Sequence, residues 1–173
     1  PLFLRALSIR EKAGASDAAG FASLLNDLAA LRQAQTRYAE VEPLFKRALA
    51  MLESASGSDN PANAITLNNL ASFYQAQTRL TETEPLYKRS LAISEKALGP
   101  EHPETGLVLQ NMAVLYLNQG RYGDAEPLFE RSIAVREKAH GAEHPAIGQA
   151  LGLFALLRRQ QGRYGEAEEM QNR

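Results

Sequence analysis

Cysteine is absent from the 173 residues, and no long apolar run occurs. Without thiols the chain can form neither a disulfide framework nor a thiolate metal site, and the redox compartment stays undetermined. The longest apolar runs span only a few residues, as from Leu153 to Leu157. Because a membrane-spanning helix needs about 18 or more apolar residues, we expect no membrane insertion. The compartment is unknown, and the cytoplasm is our expectation.

An excess of charge of either sign is also missing. Lysine and arginine together number 19, against 20 aspartate and glutamate residues. Proteins that bind nucleic acid or an anionic membrane surface use a strongly basic field, which this balance does not supply. We therefore expect no nucleic-acid partner.

Internal repetition is the strongest positive feature of the sequence. Prolines recur every 42 residues inside the related segments PLFLRAL, EPLFKRAL, EPLYKRSL and EPLFERSI. The same interval relates columns of leucine, alanine and arginine, so chance cannot explain the pattern. These columns are Pro1, Pro43, Pro85 and Pro127; Leu25, Leu67, Leu109 and Leu151; Ala29, Ala71, Ala113 and Ala155; and Arg37, Arg79, Arg121 and Arg163.

The repeat interval divides the chain into units. We predict the second helix of a truncated leading repeat, three full repeats and a truncated fourth repeat. In that order the predicted units are residues 1–14, 15–56, 57–98, 99–140 and 141–173. Because Pro1 lies inside a motif that recurs later, we expect the chain to be a piece of a longer protein.

Two helices are predicted in each full unit. In the second full repeat, Leu67, Leu70 and Tyr74 have the spacing of an apolar helical face. A turn near Thr78 follows, and a second apolar stripe begins at Leu86. No pattern typical of a strand competes with this interpretation.

Proline, glycine and threonine mark the predicted helix ends. A proline at the first helical position loses no intrahelical hydrogen bond, so Pro61, Pro103 and Pro145 suit helix starts. The turn inside each pair holds Thr36, Thr78, Gly120 or Gly162. Within the second helices, the prolines at 43, 85 and 127 are expected about one turn from the start, with a role in shape alone.

Stacking of the helix pairs is required because one pair cannot bury its apolar stripes alone. The alanine column at 29, 71, 113 and 155 fits close approaches between helices, where a larger side chain would overpack. Glutamate and lysine four residues apart, as in Glu42 with Lys46 and Glu84 with Lys88, suit a solvated outer face.

The segment LNNLASFYQAQTRLTETEPLYKRSLAISEKALGPEHP, residues 67–103, resembles the tetratricopeptide repeat in the 42-residue form typical of kinesin light chains. The small residue of the first helix, the aromatic residue of the second, the EPLYKRAL-like block and the GPEHP-like linker occur in phase. The resemblance covers nearly the whole chain. It implies an all-α fold: a right-handed α-solenoid of antiparallel helix pairs, the tetratricopeptide repeat superhelix.

In this family the first helices line a concave groove that takes an extended peptide or a helix. The resemblance therefore implies a protein or peptide as partner and a set of groove residues on this chain. The implied groove residues are Asn26, Gln33, Asn68, Ser72, Gln75, Leu107, Gln110, Val114, Leu117, Asn118, Leu156 and Arg159.

Amide side chains occupy one groove column, at Asn26, Asn68 and Gln110. Asparagine is a poor residue for a helix interior, and its amide offers donors and an acceptor that suit the backbone of a bound strand. The alternative is that these amides bond between neighbouring helices or face water. The same two interpretations apply to the next column, with the structural one favoured, at Asp27, Asn69 and Asn111.

Other groove columns become more apolar along the chain. Ser23, Ala30 and Gln33 give way to Leu107, Val114 and Leu117, with Leu156 in the last repeat. Such a surface fits an apolar side chain of a partner or continuation of the chain itself, and the alternative is that these residues pack beneath a neighbouring helix. Chaperone adaptors and kinesin light chains of this family use basic groove residues to hold carboxylates or acidic motifs. Only Arg159 is basic here, so a neutral or mixed ligand is predicted.

Nothing in the sequence indicates an enzyme, a cofactor or a metal site. His140 and His144 could share a metal only on a continuous helix, which Gly141 opposes. His102 and His144 precede prolines and suit helix starts. No phosphate-binding glycine loop or Ser/His/Asp grouping occurs, and the paired carboxylates lie on solvated helices.

Three functions fit these features. The first is a scaffold that binds a peptide or partner helix in the groove. The second is self-association into a homo-oligomer through uncapped apolar ends, since the repeat pattern is cut at Pro1 and Arg173. The third is a regulatory or sensor region of a larger protein whose catalytic domain lies elsewhere.

Overall fold

The structure is a computed structural model that describes Arg5 and residues 17–171. The described residues form eight α-helices and no strand, which confirms the predicted all-α class. The helices are α1 (Ala18–Ala34), α2 (Tyr38–Ser56), α3 (Pro61–Ala76), α4 (Leu80–Ala97), α5 (Pro103–Asn118), α6 (Tyr122–His140), α7 (Pro145–Gln160) and α8 (Tyr164–Gln171). The helix predicted over residues 1–14 lies outside the described residues, apart from Arg5, which is helical.

The chain divides into two compact units, Pro1–Ile93 and Ser94–Arg173, with the boundary inside α4. In the first unit α1 packs against α2 and α3, and α2 packs against α3. In the second unit α5 packs against α6 and α7, α6 against α7, and α7 against α8. The repeat boundaries given above remain a prediction.

The turn between the first and the second helix of each pair has one recurring geometry. After α1 the N–H of Thr36 donates to the Gln33 carbonyl, and the N–H of Arg37 donates to the Arg32 carbonyl, both at 2.9 Å. This pair of hydrogen bonds ends a helix by placing one residue in the left-handed region. The residue in that position has φ of 60° at Thr36, 58° at Thr78, 71° at Gly120 and 78° at Gly162. The predicted turn column is therefore confirmed.

Side-chain caps start the first helices of the later pairs. Asn60 accepts a hydrogen bond from the backbone N–H two residues ahead at 2.9 Å, and the Nδ1 atoms of His102 and His144 do the same at 3.2 Å. Each cap satisfies a backbone donor that has no partner inside its helix. Proline follows each cap at the start of the helix, as predicted, at Pro61, Pro103 and Pro145.

Apolar side chains from successive helices form the core of each unit. Phe21 and Leu25 of α1 are buried with Leu52 of α2, and in the second unit the rings of Phe129 and Phe154 stack at 5.6 Å. Each such side chain contributes about 1.5–3 kcal/mol. The alanine column has no exposed surface at Ala29, Ala71, Ala113 or Ala155. Full burial is what the predicted role of this column at helix contacts requires.

Charged pairs join glutamates of the second helices to basic residues on the same helix or in neighbouring segments. The Glu42 carboxylate on α2 contacts Arg79 Nη1 at 2.5 Å, and in the second unit Glu126 on α6 contacts Arg158 Nη1 at 2.5 Å. Both predicted pairs of the outer face are present, Glu42 with Lys46 at 2.7 Å and Glu84 with Lys88 at 2.8 Å. The prolines at 43, 85 and 127 lie inside their helices as expected.

Candidate functional site

The sequence-predicted groove residues lie on the first helices of the pairs. In the first unit they are Asn26 and Gln33 on α1, and Asn68, Ser72 and Gln75 on α3. In the second unit they are Leu107, Gln110, Val114, Leu117 and Asn118 on α5, and Leu156 and Arg159 on α7.

Asn26 joins two first helices of the first unit. Its Nδ2 donates to Thr66 Oγ1 on α3 at 3.0 Å, and that hydroxyl donates in turn to the Ala62 carbonyl at 3.1 Å. The Asn26 Oδ1 is buried and has no hydrogen-bond partner among the described residues. The Asn26 Nδ2 therefore contributes to the contact between the two helices, whereas the Oδ1 is an unused acceptor.

Ser72 and Gln75 are oriented by a tyrosine of the neighbouring second helix. Tyr87 on α4 donates through its hydroxyl to Gln75 Oε1 at 3.0 Å. Because a phenol carries one proton, Ser72 Oγ must donate to Tyr87 Oη, which lies 2.9 Å away. Burial raises the pKa of Tyr87 to about 12, and the Ser72 hydrogen bond opposes part of that rise. The tyrosine thus stays neutral and fixes both predicted groove side chains.

The remaining predicted residues differ in how much surface they offer. Asn68 and Leu117 are buried, whereas Leu107 and Leu156 are 36% and 44% exposed, a large fraction for leucine. Gln33 and Val114 are half-buried, and Asn118 and Arg159 are exposed. The apolar surface that the sequence predicted at this end is thus contributed by Leu107 and Leu156, because Leu117 packs into the core.

A cavity of about 310 Å³ lies beside Leu107 in the second unit. Helices α5, α6 and α7 all contribute to its wall. The residues that matter for its chemistry are Glu104, Leu107 and Gln110 of α5, Arg136 and His140 of α6, and Gln149 of α7. Two predicted groove residues, Leu107 and Gln110, are thereby brought together in one concave site.

Arg136 is the unusual residue of this cavity because it is a cation with 6% exposure. Its Nη1 donates to the Ala146 carbonyl at 3.3 Å, and among the described residues it has no ion-pair partner. Burial lowers the pKa of the guanidinium, and the charge of Glu104 acts in the opposite direction. Gln110 lines the same cavity, and its Oε1 is buried without a hydrogen-bond partner in the described part of the chain.

The sequence prediction missed Arg136 because the groove was assigned to the first helices alone. The residue lies near the end of a second helix, where α6 reaches the cavity. A signal was present in the repeat column, which holds Arg10, Leu52, Ser94 and Arg136. Since Leu52 and Ser94 are buried, a charge at the equivalent position 136 indicates either an internal ion pair or a polar site.

The rings of His140 and His144 stack with their centroids 4.7 Å apart. Within residues 17–171, no group of three or more His, Cys, Asp or Glu side chains is placed to hold a metal ion. Among the helices that the structure describes, none has the length and apolar content that crossing a membrane requires.

Recurring helix pairs, a fully buried alanine column and one shared turn geometry define a helical-repeat protein. The family model for the tetratricopeptide repeat matches residues 20–72, 62–138 and 108–173, and the chain belongs to this family. Tetratricopeptide repeats generally mediate protein–protein interactions and typically act as non-catalytic scaffolds. Comparison with curated proteins finds no significant match.

Two solved structures have a similar fold. BtubC (BKLC) from P. vanneervenii is 22% identical with a TM-score of 0.80, over 89% of this chain and 61% of that protein. A protein from Podosopora anserina, described as a kinesin light chain with nearly identical TPR-like repeats, is 25% identical with a TM-score of 0.79. That match covers 88% of this chain and 72% of the other. The chain thus has the fold of tetratricopeptide repeat solenoids and is similar to kinesin light chain repeats.

Proposed function

We propose that this chain holds a peptide or a partner helix of another protein against the exposed faces of its first helices. The observation that carries the proposal is the cavity beside Leu107, where an exposed apolar side chain adjoins polar groups with unused hydrogen-bonding capacity. Concave sites that combine an apolar surface with a few convergent polar groups are typical of ligand binding. Family membership adds support, since these repeats generally mediate protein interactions.

Leu107 and Leu156 are expected to supply most of the apolar contact. Both belong to first helices of the second unit and are among the most exposed large apolar residues there. An exposed leucine is unfavourable in water and favourable under a partner, so each of the two positions can contribute to binding. Since one short helical face buries modest area, we expect weak or transient binding.

A displayed library of random peptides selected on the intact chain tests this function. Affinity of the selected peptide is then measured by calorimetry for the chain and for Leu107→Asp. We expect at least a tenfold loss, because a carboxylate would be desolvated under the ligand. Tyr164→Asp is the matched control, since Tyr164 is 69% exposed but lies on the second helix α8.

Equal losses in the two variants, or no loss in Leu107→Asp, would count against the assignment to the first helices. Failure to select any peptide would count against peptide binding itself. Circular dichroism of both variants verifies that the helices are retained, which we expect because both positions are exposed.

A further inference from the structure

We propose that the cavity lined by Arg136, Gln110 and Glu104 binds a side-chain carboxamide, from asparagine or glutamine, of a partner polypeptide. The inference rests on the proposed function, because it names the chemical group that this part of the surface recognises. It differs from the sequence-based prediction, in which the amides of this chain pair with a partner's backbone.

The donor side of the site is the Arg136 guanidinium. A guanidinium carries five N–H donors. One of its nitrogens reaches the Ala146 carbonyl at 3.3 Å, and no carboxylate within residues 17–171 forms an ion pair with it. Arg136 is only 6% exposed, yet it lines the cavity. A ligand carbonyl in the cavity would therefore meet N–H donors that water reaches poorly.

The acceptor side is formed by Gln110 and Glu104 of α5. The Gln110 Oε1 is buried without a hydrogen-bond partner in the described residues, and a buried unpaired acceptor is unfavourable. Glu104 lines the same cavity and is close enough to Arg136 to counter the effect of burial on its pKa. A ligand N–H placed here would face the Glu104 carboxylate, and it would reach the Gln110 Oε1 after rotation of the Gln110 side chain toward the cavity.

The balance of charges selects a neutral ligand group. A carboxylate would gain from Arg136 but could donate nothing to Gln110 and would be repelled by Glu104. An ammonium group would be repelled by Arg136 in the same way. A carboxamide carries a carbonyl acceptor and two N–H donors on one planar group, so it can serve both sides at once.

The dimensions of the site agree with a side chain as occupant. Its volume of about 310 Å³ is large enough for a carboxamide side chain. Leu107, which also lines the cavity and is 36% exposed, can contact the aliphatic part of that side chain. A partner side chain can therefore enter from a peptide bound along α5.

The test begins with the peptide selected on the intact chain. We expect an asparagine or glutamine to be enriched at one position of the selected sequences. Replacing it in a synthetic peptide by the matching acid, or by leucine, should weaken binding at least tenfold by calorimetry. Tighter binding of the acid would overturn the proposal in favour of a carboxylate site.

Variants of the chain locate the effect. Arg136→Met retains the aliphatic stem and removes the donors, and Gln110→Leu removes the acceptor. Each variant should bind the carboxamide peptide at least fivefold more weakly than the unaltered chain does. Neither should bind the leucine peptide much more weakly. Arg131→Met is the matched control, because Arg131 lies on the same helix but pairs with Glu95 at 2.6 Å outside this cavity.

The two proposals fail differently. If Leu107→Asp abolishes binding while Arg136→Met and Gln110→Leu leave it unchanged, the proposed function stands and the carboxamide site is wrong. If Arg136→Met does not fold, Gln110→Leu alone decides, since that substitution removes an unsatisfied buried polar atom and should be tolerated. A selection with no consensus at any position would also overturn the carboxamide site.

Discussion

The Ser132 hydroxyl on α6 donates a hydrogen bond of 2.6 Å to the Gly106 carbonyl on α5, and both residues are fully buried. This bond holds two helices so close that a Cβ added at Gly106 would lie 3.0 Å from Val135 Cγ1. In the first unit, the equivalent Ser90 hydroxyl donates to the Ala64 carbonyl at 2.7 Å. The repeat therefore uses a buried hydroxyl to set the distance between its paired helices.

Alanine at Gly106 and at Gly148 should have opposite effects on stability. The two glycines are 42 residues apart in equivalent positions, and a Cβ at Gly148 meets nothing within 4 Å. Gly148→Ala should stabilise by about 0.5–1 kcal/mol through helix propensity. In Gly106→Ala the same gain in helix propensity is outweighed by overpacking, which costs about 1–3 kcal/mol, so this substitution should destabilise the fold. Urea denaturation measures both free energies of unfolding, and equal changes in the two variants would contradict the close approach.

Glycine at Thr78 should stabilise the first unit. Thr78 has φ of 58°, a left-handed conformation that a β-branched residue adopts at a cost of about 1–2 kcal/mol. Thr78→Gly removes this strain and should raise the free energy of unfolding by about 0.5–1 kcal/mol after the entropic cost of glycine.

The reverse substitution is the control for the turn. Gly120 occupies the same column with φ of 71°, so Gly120→Thr should be destabilising by about 1–2 kcal/mol. Thermal unfolding followed by circular dichroism measures both variants. A lower melting temperature for Thr78→Gly would show that the threonine side chain contributes more than its backbone strain costs.

Helices, turns and helix starts could be predicted because their signals are local. Pro103 after His102 indicates a helix start through the fixed φ of proline, and Gly120 indicates a left-handed turn, whatever surrounds them. The burial of the alanine column follows from its constant place relative to the apolar stripes. These features required no knowledge of which helix lies next to which.

The candidate site depends on long-range contacts, so less of it could be predicted. Periodicity places Asn26 on a helix face, but its bond to Thr66 is made 40 residues away along the chain. Leu117 belongs to a groove column and is nevertheless buried, because only the packed neighbours determine its exposure. Arg136 joins Gln110 through the end of α6, a relationship that column identity alone does not contain.

The Glu42 carboxylate should make stability depend on acidity. Hydrogen bonds from Arg79, and then from Lys46, lower its pKa from 4.5 to about 2. Because the folded pKa is depressed, the stabilisation is fully present above pH 4.5 and is lost as the pH falls from 4.5 toward 2. Glu42→Gln should therefore cost about 1 kcal/mol at pH 7, and this difference should shrink toward zero near pH 2.

The quantity to follow is the difference in free energy of unfolding between the unaltered chain and Glu42→Gln at each pH. The other carboxylates titrate in both proteins, so their contribution cancels in this difference. Arg79→Met should cost more than Lys46→Met, since Arg79 also lies over the Tyr74 ring at 3.8 Å and pairs with Glu82. Urea denaturation between pH 2 and 7 gives the required free energies. A difference that stays constant over this range would show that the Glu42 charge does not contribute.

Helix caps should differ in strength between the first and second units. Asn60 caps α3 through an oxygen at 2.9 Å, whereas His144 caps α7 through a ring nitrogen at 3.2 Å. Asparagine is among the most favourable capping residues, and its replacement by alanine costs about 1 kcal/mol. Asn60→Ala should lower the free energy of unfolding by that amount, and His144→Ala should lower it by less.

Exchanging the two caps separates hydrogen-bond strength from ring contacts. His144→Asn should stabilise by a few tenths of a kcal/mol despite loss of the stacked His140 ring, because the shorter cap bond outweighs an exposed ring contact. Asn60→His should destabilise, since a longer bond replaces a shorter one without a histidine nearby to stack on. If both exchanges destabilise equally, each cap is matched to its own loop, and the residue type does not set the strength of the cap.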